Sequence, residues 1–182
     1  EDLVKTYLDI EISHMPSANS NKGGGLTLAK EAGAALDHTD EAWWWPASRD
    51  TYPHPGGGGQ LVIAERFLPH SIFVNKAGKR FVNESSHNVA NAFLEKDEQG
   101  KPKNTPAWII FDQQFRSKYT ILLKIRPSAK DPEWLVSAPT LKELASKVGI
   151  DPDGLEASVD RFNQDARYGV DSEFGRGATL YD

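Results

Sequence analysis

Cysteine is absent from the chain. That excludes disulfides, thiolate metal sites and thiol nucleophiles together. No apolar run approaches the roughly 18–20 residues needed to span a bilayer. No basic segment followed by an apolar one opens the chain, so no signal segment is expected. Positive charge is the scarcer sign: 21 Lys and Arg against 26 Asp and Glu leave a net charge of −5. Such a chain is poorly suited to a phosphate backbone, and nucleic acid is not an expected partner. The common catalytic and nucleotide signatures are missing as well. There is no G-x-G-x-x-G between a strand and a helix, no P-loop lysine, no G-x-S-x-G and no H-E-x-x-H. Gly56–Gly59 leads into an apolar run rather than a helix, and no apolar strand feeds Gly23-Gly24-Gly25. The five histidines, His14, His38, His54, His70 and His87, have no metal-ligand spacing, so no metal is expected.

What remains is a soluble globular composition, 38% hydrophobic and 26% charged over 182 residues, enough for one domain with a core. Glu1 to Lys5 reads as the middle of a helix, which suggests a start inside a larger protein. Leu3, Val4, Tyr7 and Leu8 recur at helical spacing. Leu26 to Ala35 forms a helix of small residues with Gly33 inside it, placed there for close packing. Trp43-Trp44-Trp45 cannot all face one way on a strand or a helix. Tyr52 to Gly59 is a loop by composition.

Four strands are expected: Leu61–Ala64, Ser71–Val74, Lys79–Val82 and Ala107–Phe111. A tight hairpin at Asn75–Gly78 joins the second and third, with Gly78 free to take positive φ. Ser86 to Lys96 reads as helix, and Asp112 caps a helix running to Tyr119. Thr140 with Glu143 is a capping box, and Gly149 stops that helix. Asp151-Pro152 opens the last helix, whose apolar face is Leu155, Val159, Phe162 and Ala166, and Gly169 ends it. The expected class is α+β: a small antiparallel sheet of about four strands with segregated helices.

The run from Pro69 to Ser85, Pro-His-Ser-Ile-Phe-Val-Asn-Lys-Ala-Gly-Lys-Arg-Phe-Val-Asn-Glu-Ser, resembles a hallmark of a flavoprotein family. That family holds 3-ketosteroid dehydrogenases, fumarate reductases and succinate dehydrogenases. Further matches follow in order. They are Gly25-Leu26 through Leu36, Trp43 to Pro46, Pro106 to Arg116, and Arg161 to Arg167 with Gly169-Val170-Asp171, Phe174, Arg176-Gly177 and Tyr181-Asp182. The tryptophans and the last two segments are closest to the steroid branch. The resemblance implies the cap, or substrate-covering, domain, excised from a Rossmann-like FAD domain. Residues 1–36 would lead out of the FAD domain and residues 37–182 would be the cap. It implies an FAD-dependent dehydrogenase of CH–CH bonds beside a carbonyl, cytoplasmic or peripheral to a membrane. FAD would bind the whole protein and not this piece alone, which should be inactive by itself. Its partners would be the FAD domain of the same chain and a cyclic ketone or steroid. An exposed apolar underside would favour self-association.

In the family, a proton-handling residue lies four positions after the glutamate of the Arg-Phe-x-Asn-Glu run. Steroid dehydrogenases place a tyrosine there and fumarate reductases an arginine. This chain has Asn88, and an amide does not exchange protons near neutral pH. His87 beside it is either the substitute proton carrier or a solvated histidine. Glu65-Arg66 matches a further family position, where Glu65 either relays protons or fixes a strand end by a salt bridge. Asn83 and Glu84 are implied to lie close to the flavin. Trp44, Trp45, Tyr52 and Phe67 either line an apolar pocket or pack in the core or on a partner. Two alternatives stand beside the steroid-type enzyme: a fumarate reductase-like cap for a small dicarboxylate, and a non-catalytic ligand-binding module.

Overall fold

The computed structural model describes residues 3–8, 18, 20–49, 59–180 and 182. The chain divides into two compact units, Glu1–Leu61 and Val62–Asp182.

In the first unit, helix α1 spans Leu3–Leu8 and α2 spans Gly24–Glu31. Gly33 lies beyond α2, not inside it. Its φ of 79° is left-handed, and a Cβ there would meet nothing within 4 Å. The Ala34 N–H reaches the Ala29 carbonyl at 2.9 Å and the Gly33 N–H reaches Lys30 at 3.0 Å. This pair of bonds closes a helix C-terminus around a glycine, so backbone freedom rather than close packing explains the residue. Further on, Trp43 is exposed, Trp44 and Trp45 are half-buried, and the Trp43 and Trp45 rings sit 5.5 Å apart. The expected strand Leu61–Ala64 is reduced to a single bridge between Ala47 and Leu61.

The second unit begins with the short helix α3, Ala64–Phe67, and strand β1, Ser71–Val74. After a 3₁₀ turn at Val89–Phe93 come β2, Trp108–Phe111, and helices α4 (Gln113–Lys118), α5 (Leu141–Val148) and α6 (Pro152–Ala166). β1 and β2 pair antiparallel, Ser71 opposite Phe111 and Val74 opposite Trp108. α5 and α6 pack against this ribbon. Ile72, Val74, Ala145, Ile150 and Leu155 form the buried centre, with Trp108, Ile110, Val159 and Phe162 around it.

The helix ends follow their punctuation. Asp112 accepts from Phe115 N–H, Thr140 from Glu143 N–H and Asp151 from Asp153 N–H, and Gly149 ends α5 at φ 76°. Gly78, at φ 69°, lies against the first turn of α6. A Cβ there would fall on the Leu155 amide and on Gly154, while one on Gly154 would strike the Ala77 carbonyl.

Among the described residues the sheet has two strands, not four. The turn at Asn75–Gly78 forms, with Gly78 N–H on the Asn75 carbonyl at 2.9 Å and Asn75 N–H on Lys79 at 3.0 Å. Lys79–Val82 then leaves the sheet. Side chains take its place along β1. The Phe73 N–H donates to Glu84 Oε1 at 3.1 Å, and Arg176 donates to the Ser71 carbonyl at 2.6 Å and to Leu68 at 2.8 Å. The Phe73 N–H and the Ser71 carbonyl on that edge are thus satisfied without a third strand.

The expected helix over Ser86 to Lys96 is only the 3₁₀ turn. Asn104 Nδ2 and Thr105 Oγ1 bond the Ala92 and Phe93 carbonyls, which a continuing helix would need for itself.

Candidate functional site

The sequence hallmark folds around one buried charge cluster. Arg80 reaches Glu84 through Nε at 3.0 Å and Nη2 at 2.8 Å, and grips Asp171 with Nη1 and Nη2, both at 2.9 Å. All three side chains are essentially inaccessible to water. Arg176 adds a second cation at 3.5 Å from Glu84 Oε2. Two guanidinium groups and two carboxylates therefore balance inside the unit. Such a cluster holds only when its geometry is good and its remaining polar atoms are bonded. Both conditions are met. Asp171 also accepts the N–H groups of Glu173, Phe174 and Arg176, and the Arg80 guanidinium lies 4.5 Å from the Phe162 ring centroid.

Burial pushes the Asp171 carboxyl up, but the hydrogen bonds and charge of Arg80 outweigh it and hold the group at about 2. For Arg80, burial pulls downward, while Asp171 and Glu84 carry it well above the usual guanidinium range. Burial lowers Arg176, and the Glu84 charge opposes that shift.

Glu65 and Arg66 stand beside the cluster. They lie on α3 rather than at a strand end, and only 3% and 1% of their surfaces are exposed. The Glu65 carboxylate accepts the Leu122 N–H, so it holds a backbone amide. Arg66 Nη1 donates to the Glu84 carbonyl at 2.7 Å and to Ser86 at 2.9 Å, bracing the chain just before His87. Burial lowers its pKa to about 10. The Glu84 carboxylate is spent on Phe73, Arg80 and Arg176. Asn83 is half-buried; it accepts from Ser85 N–H at 2.9 Å and donates to Asp182 at 3.3 Å. His87 and Asn88 are exposed in the turn that precedes the 3₁₀ segment.

A cleft of about 970 Å³ opens in the second unit. Phe67, Ile110, Phe111, Leu135, Val159 and Phe162 supply apolar wall, and among the described residues Phe67 is the one expected site residue that lines it. Trp44 and Trp45 belong to the first unit, and Tyr52 lies outside the described residues. The sequence reading missed two groups at this cleft. Asp171 and Arg176 were visible as charged residues in the matching tail, yet nothing local tied them to Arg80. His70 and Asp112 pair at 3.1 Å on the cleft wall, and only the capping role of Asp112 could be read from the sequence.

A sequence family described as an FAD binding domain matches residues 9–181. The chain belongs to that family. FAD is the cofactor this membership indicates. Over 176 residues the chain is 43% identical to the 3-oxosteroid 1-dehydrogenase of Mycobacterium tuberculosis, covering 91% of this chain and 30% of that protein. It is 39% identical to the 4-oxocyclohexanecarboxylate 2-dehydrogenase of Sinomonas cyclohexanicum, covering 99% of this chain and 32% of that one. The 3-ketosteroid delta1-dehydrogenase from Sterolibacterium denitrificans, solved with 1,4-androstadiene-3,17-dione, superposes with a TM-score of 0.81 at 31% identity. That match covers 98% of this chain and 33% of the other. A fumarate reductase of Shewanella frigidimarina is more distant, at 30% identity over 85% of the chain. The chain spans about a third of the length of the relatives it matches.

Helices α5 and α6 of this FAD-binding family member offer no open pyrophosphate cradle. The N-termini of α5 and α6 are capped by their own side chains, and the Asp151 N–H at the head of α6 is taken by the Lys76 carbonyl. Arg80, Arg116 and Arg176 are committed to protein carboxylates and carbonyls. A phosphate held at either of these helix heads or by these three arginines would have to break one of those sets. No helix among the described residues is long and apolar enough to cross a membrane, and no group of acidic or histidine side chains there could hold a metal ion.

Proposed function

We propose that this chain is the cap segment of an FAD-dependent dehydrogenase acting on a CH–CH bond beside the carbonyl of a cyclic ketone. One observation carries the reading. Two relatives that align with nearly the whole chain have names that share an oxo group on a carbon ring. The cleft adds support, since its apolar wall suits a ring system better than a small dianion. A dicarboxylate needs cations free to receive it, and Arg116 and Arg176 on the cleft wall are already bonded to protein oxygens.

In this reading, residues 1–36 lead out of the flavin-holding part of the protein and residues 37–182 cover the substrate. The partner is the flavin-holding remainder of the same protein. Asn83 faces the flavin, and Glu84, buried behind it in the Arg80 cluster, holds that stretch close to the cofactor. His87 carries the proton, with Asn88 as a hydrogen-bonding neighbour and Arg66 fixing the turn from which both project. Glu65 anchors α3 against the Leu122 loop. Phe67, Trp44, Trp45 and Tyr52 supply apolar contact to the ring.

The test is turnover by the full-length protein with an artificial electron acceptor. Oxidation of a 3-ketosteroid or of 4-oxocyclohexanecarboxylate is expected. Reduction of fumarate with no oxidation of either ketone would overturn the reading. Turnover left unchanged by His87→Ala would remove His87 from the mechanism.

A further inference from the structure

Two adjacent leucines outside the cleft carry backbone strain. The Lys124 N–H returns to the Ile121 carbonyl at 3.0 Å, and the Ile121 N–H meets the Ile125 carbonyl at 2.9 Å. Leu122 and Leu123 form the centre of this turn, at φ 49° and 57°. A two-residue turn with both centres left-handed normally carries Asn-Gly or Asp-Gly. A leucine there brings its Cβ against the following carbonyl oxygen, so the turn holds two strained residues in a row. Its base is fixed by the unit. Ile121, Leu122 and Ile125 are buried, and the carboxylate of Glu65 on α3 accepts the Leu122 N–H. Packing thus accounts for Leu122. It does not account for Leu123, whose side chain is 79% exposed, since glycine would take the same backbone without strain. Strain kept at an exposed apolar tip points to something that covers the tip in the working protein.

Helix α3 indicates what that is. Arg66, the residue after Glu65, donates to the Glu84 and Ser86 carbonyls at 2.7 and 2.9 Å and so fixes the turn that bears His87 and Asn88. Two successive buried residues of one short helix therefore fasten both the Leu123 tip and the turn assigned above to the proton step. We infer that Leu123 makes apolar contact with the carbon ring of the ketone, and that Glu65 is the positioning residue that holds the tip there. The inference rests on the cyclic-ketone reading above. Glu65 acts in it through the Leu122 amide and does not touch the substrate.

The full-length flavin-loaded protein is titrated by calorimetry with 1,4-androstadiene-3,17-dione and with 4-oxocyclohexanecarboxylate, and turnover is followed with an artificial acceptor. Leu123→Ala should weaken the Kd of the ketone that binds roughly ten-fold, through lost apolar contact. Its KM should rise in step while kcat stays within about two-fold, because the contact is the same before and during reaction. Glu65→Leu removes the acceptor and should weaken binding to a similar extent, and adding Leu123→Ala to it should bring little more. Glu65→Gln keeps an oxygen for the Leu122 N–H and should bind within about two-fold of the native protein. Leu123→Gly relieves the strain at an exposed position, so it should melt at a higher temperature while binding as weakly as Leu123→Ala. A Kd unmoved in Leu123→Ala, no binding of either ketone, or Glu65→Gln as damaging as Glu65→Leu would overturn the inference. So would loss of flavin from Leu123→Ala with the ketone Kd unchanged, the sign of a tip buried against the flavin-holding remainder. Ring-ketone turnover with an unmoved Kd in Leu123→Ala would sink this inference alone. A weakened Kd in Leu123→Ala with no ring-ketone turnover by the native protein would sink the reading of function alone.

Discussion

Asp171→Asn should be among the most costly single-atom changes in the second unit. The substitution keeps shape and removes one charge. In the native chain Asp171 meets Arg80 through two 2.9 Å bonds and accepts three backbone N–H groups, with 8% of its surface exposed. Without it, Arg80 and Arg176 share only Glu84, and one positive charge is left without balance in the interior. Breaking one side of a buried pair costs about 3–5 kcal/mol, and the lower end applies because Glu84 remains. At a urea slope of roughly 2 kcal/mol/M, the midpoint should fall by about 1.5 M. The acid limb gives a second readout. The Asp171 carboxyl is held at about 2 against an ordinary value of 3.8. A depressed carboxyl contributes stability that is complete above its unfolded pKa and is lost as pH falls through its folded one. Here that contribution is up to about 2 kcal/mol, present at pH 4 and above and disappearing toward about pH 2. The variant has no carboxyl at this position, so that share of its acid sensitivity should vanish. Glu173 is the internal control, since it lies 3.8 Å from Arg80 with 35% of its side chain exposed. Glu173→Gln should change stability by less than about 0.5 kcal/mol. A midpoint shift below about 0.5 M for Asp171→Asn, or an unchanged acid limb, would refute the account of the cluster.

Two further predictions concern the backbone and are read by the same urea melts. Gly78→Ala should cost more than about 2 kcal/mol and Gly33→Ala only about 1 kcal/mol. Both sites are left-handed, but only the Gly78 Cβ would strike backbone, and equal losses would show that the close approach to α6 is not under tension. Thr140→Ala should cost about 1 kcal/mol, because Thr140 Oγ1 holds the Glu143 N–H at the head of α5, whereas Thr140→Ser should be nearly silent.

Helices α4, α5 and α6 could be read from the chain because their ends are written locally. Asp112, Thr140, Asp151 and Gly149 each act within three or four residues of themselves. The sheet could not be read so well. Lys79–Val82 follows a tight turn and ends in the strand-prone pair Phe81-Val82, but its place on β1 is taken by side chains of Glu84 and Arg176, and no local pattern announces that a carboxylate will stand in for a strand. Gly33 was misread for a related reason: a small residue in a small-residue helix suggests packing, and the helix ends two residues earlier. At the site, Arg80 and Glu84 stood out within one short motif, while Asp171 and Arg176 belong to the cluster only through contacts spanning about 90 residues. His70 and Asp112 are 42 positions apart and become neighbours only once β1 and β2 pair.

The sealed edge of β1 bears on the order in which the chain must fold. Its two strands can pair once Phe111 is available, but the groups that close the outer edge come from both ends of the unit. Glu84 arrives early, whereas Arg176 and the Asp171 that locks Arg80 arrive last. Until then Ser71 presents an open carbonyl beside a fully apolar strand, the kind of edge that recruits other chains. A nascent or truncated chain that stops short of residue 171 would keep its ribbon and both long helices and still be aggregation-prone. The tail therefore acts as the final latch of the unit, and the loop it closes, about 100 residues long, makes closure the slow, non-local step.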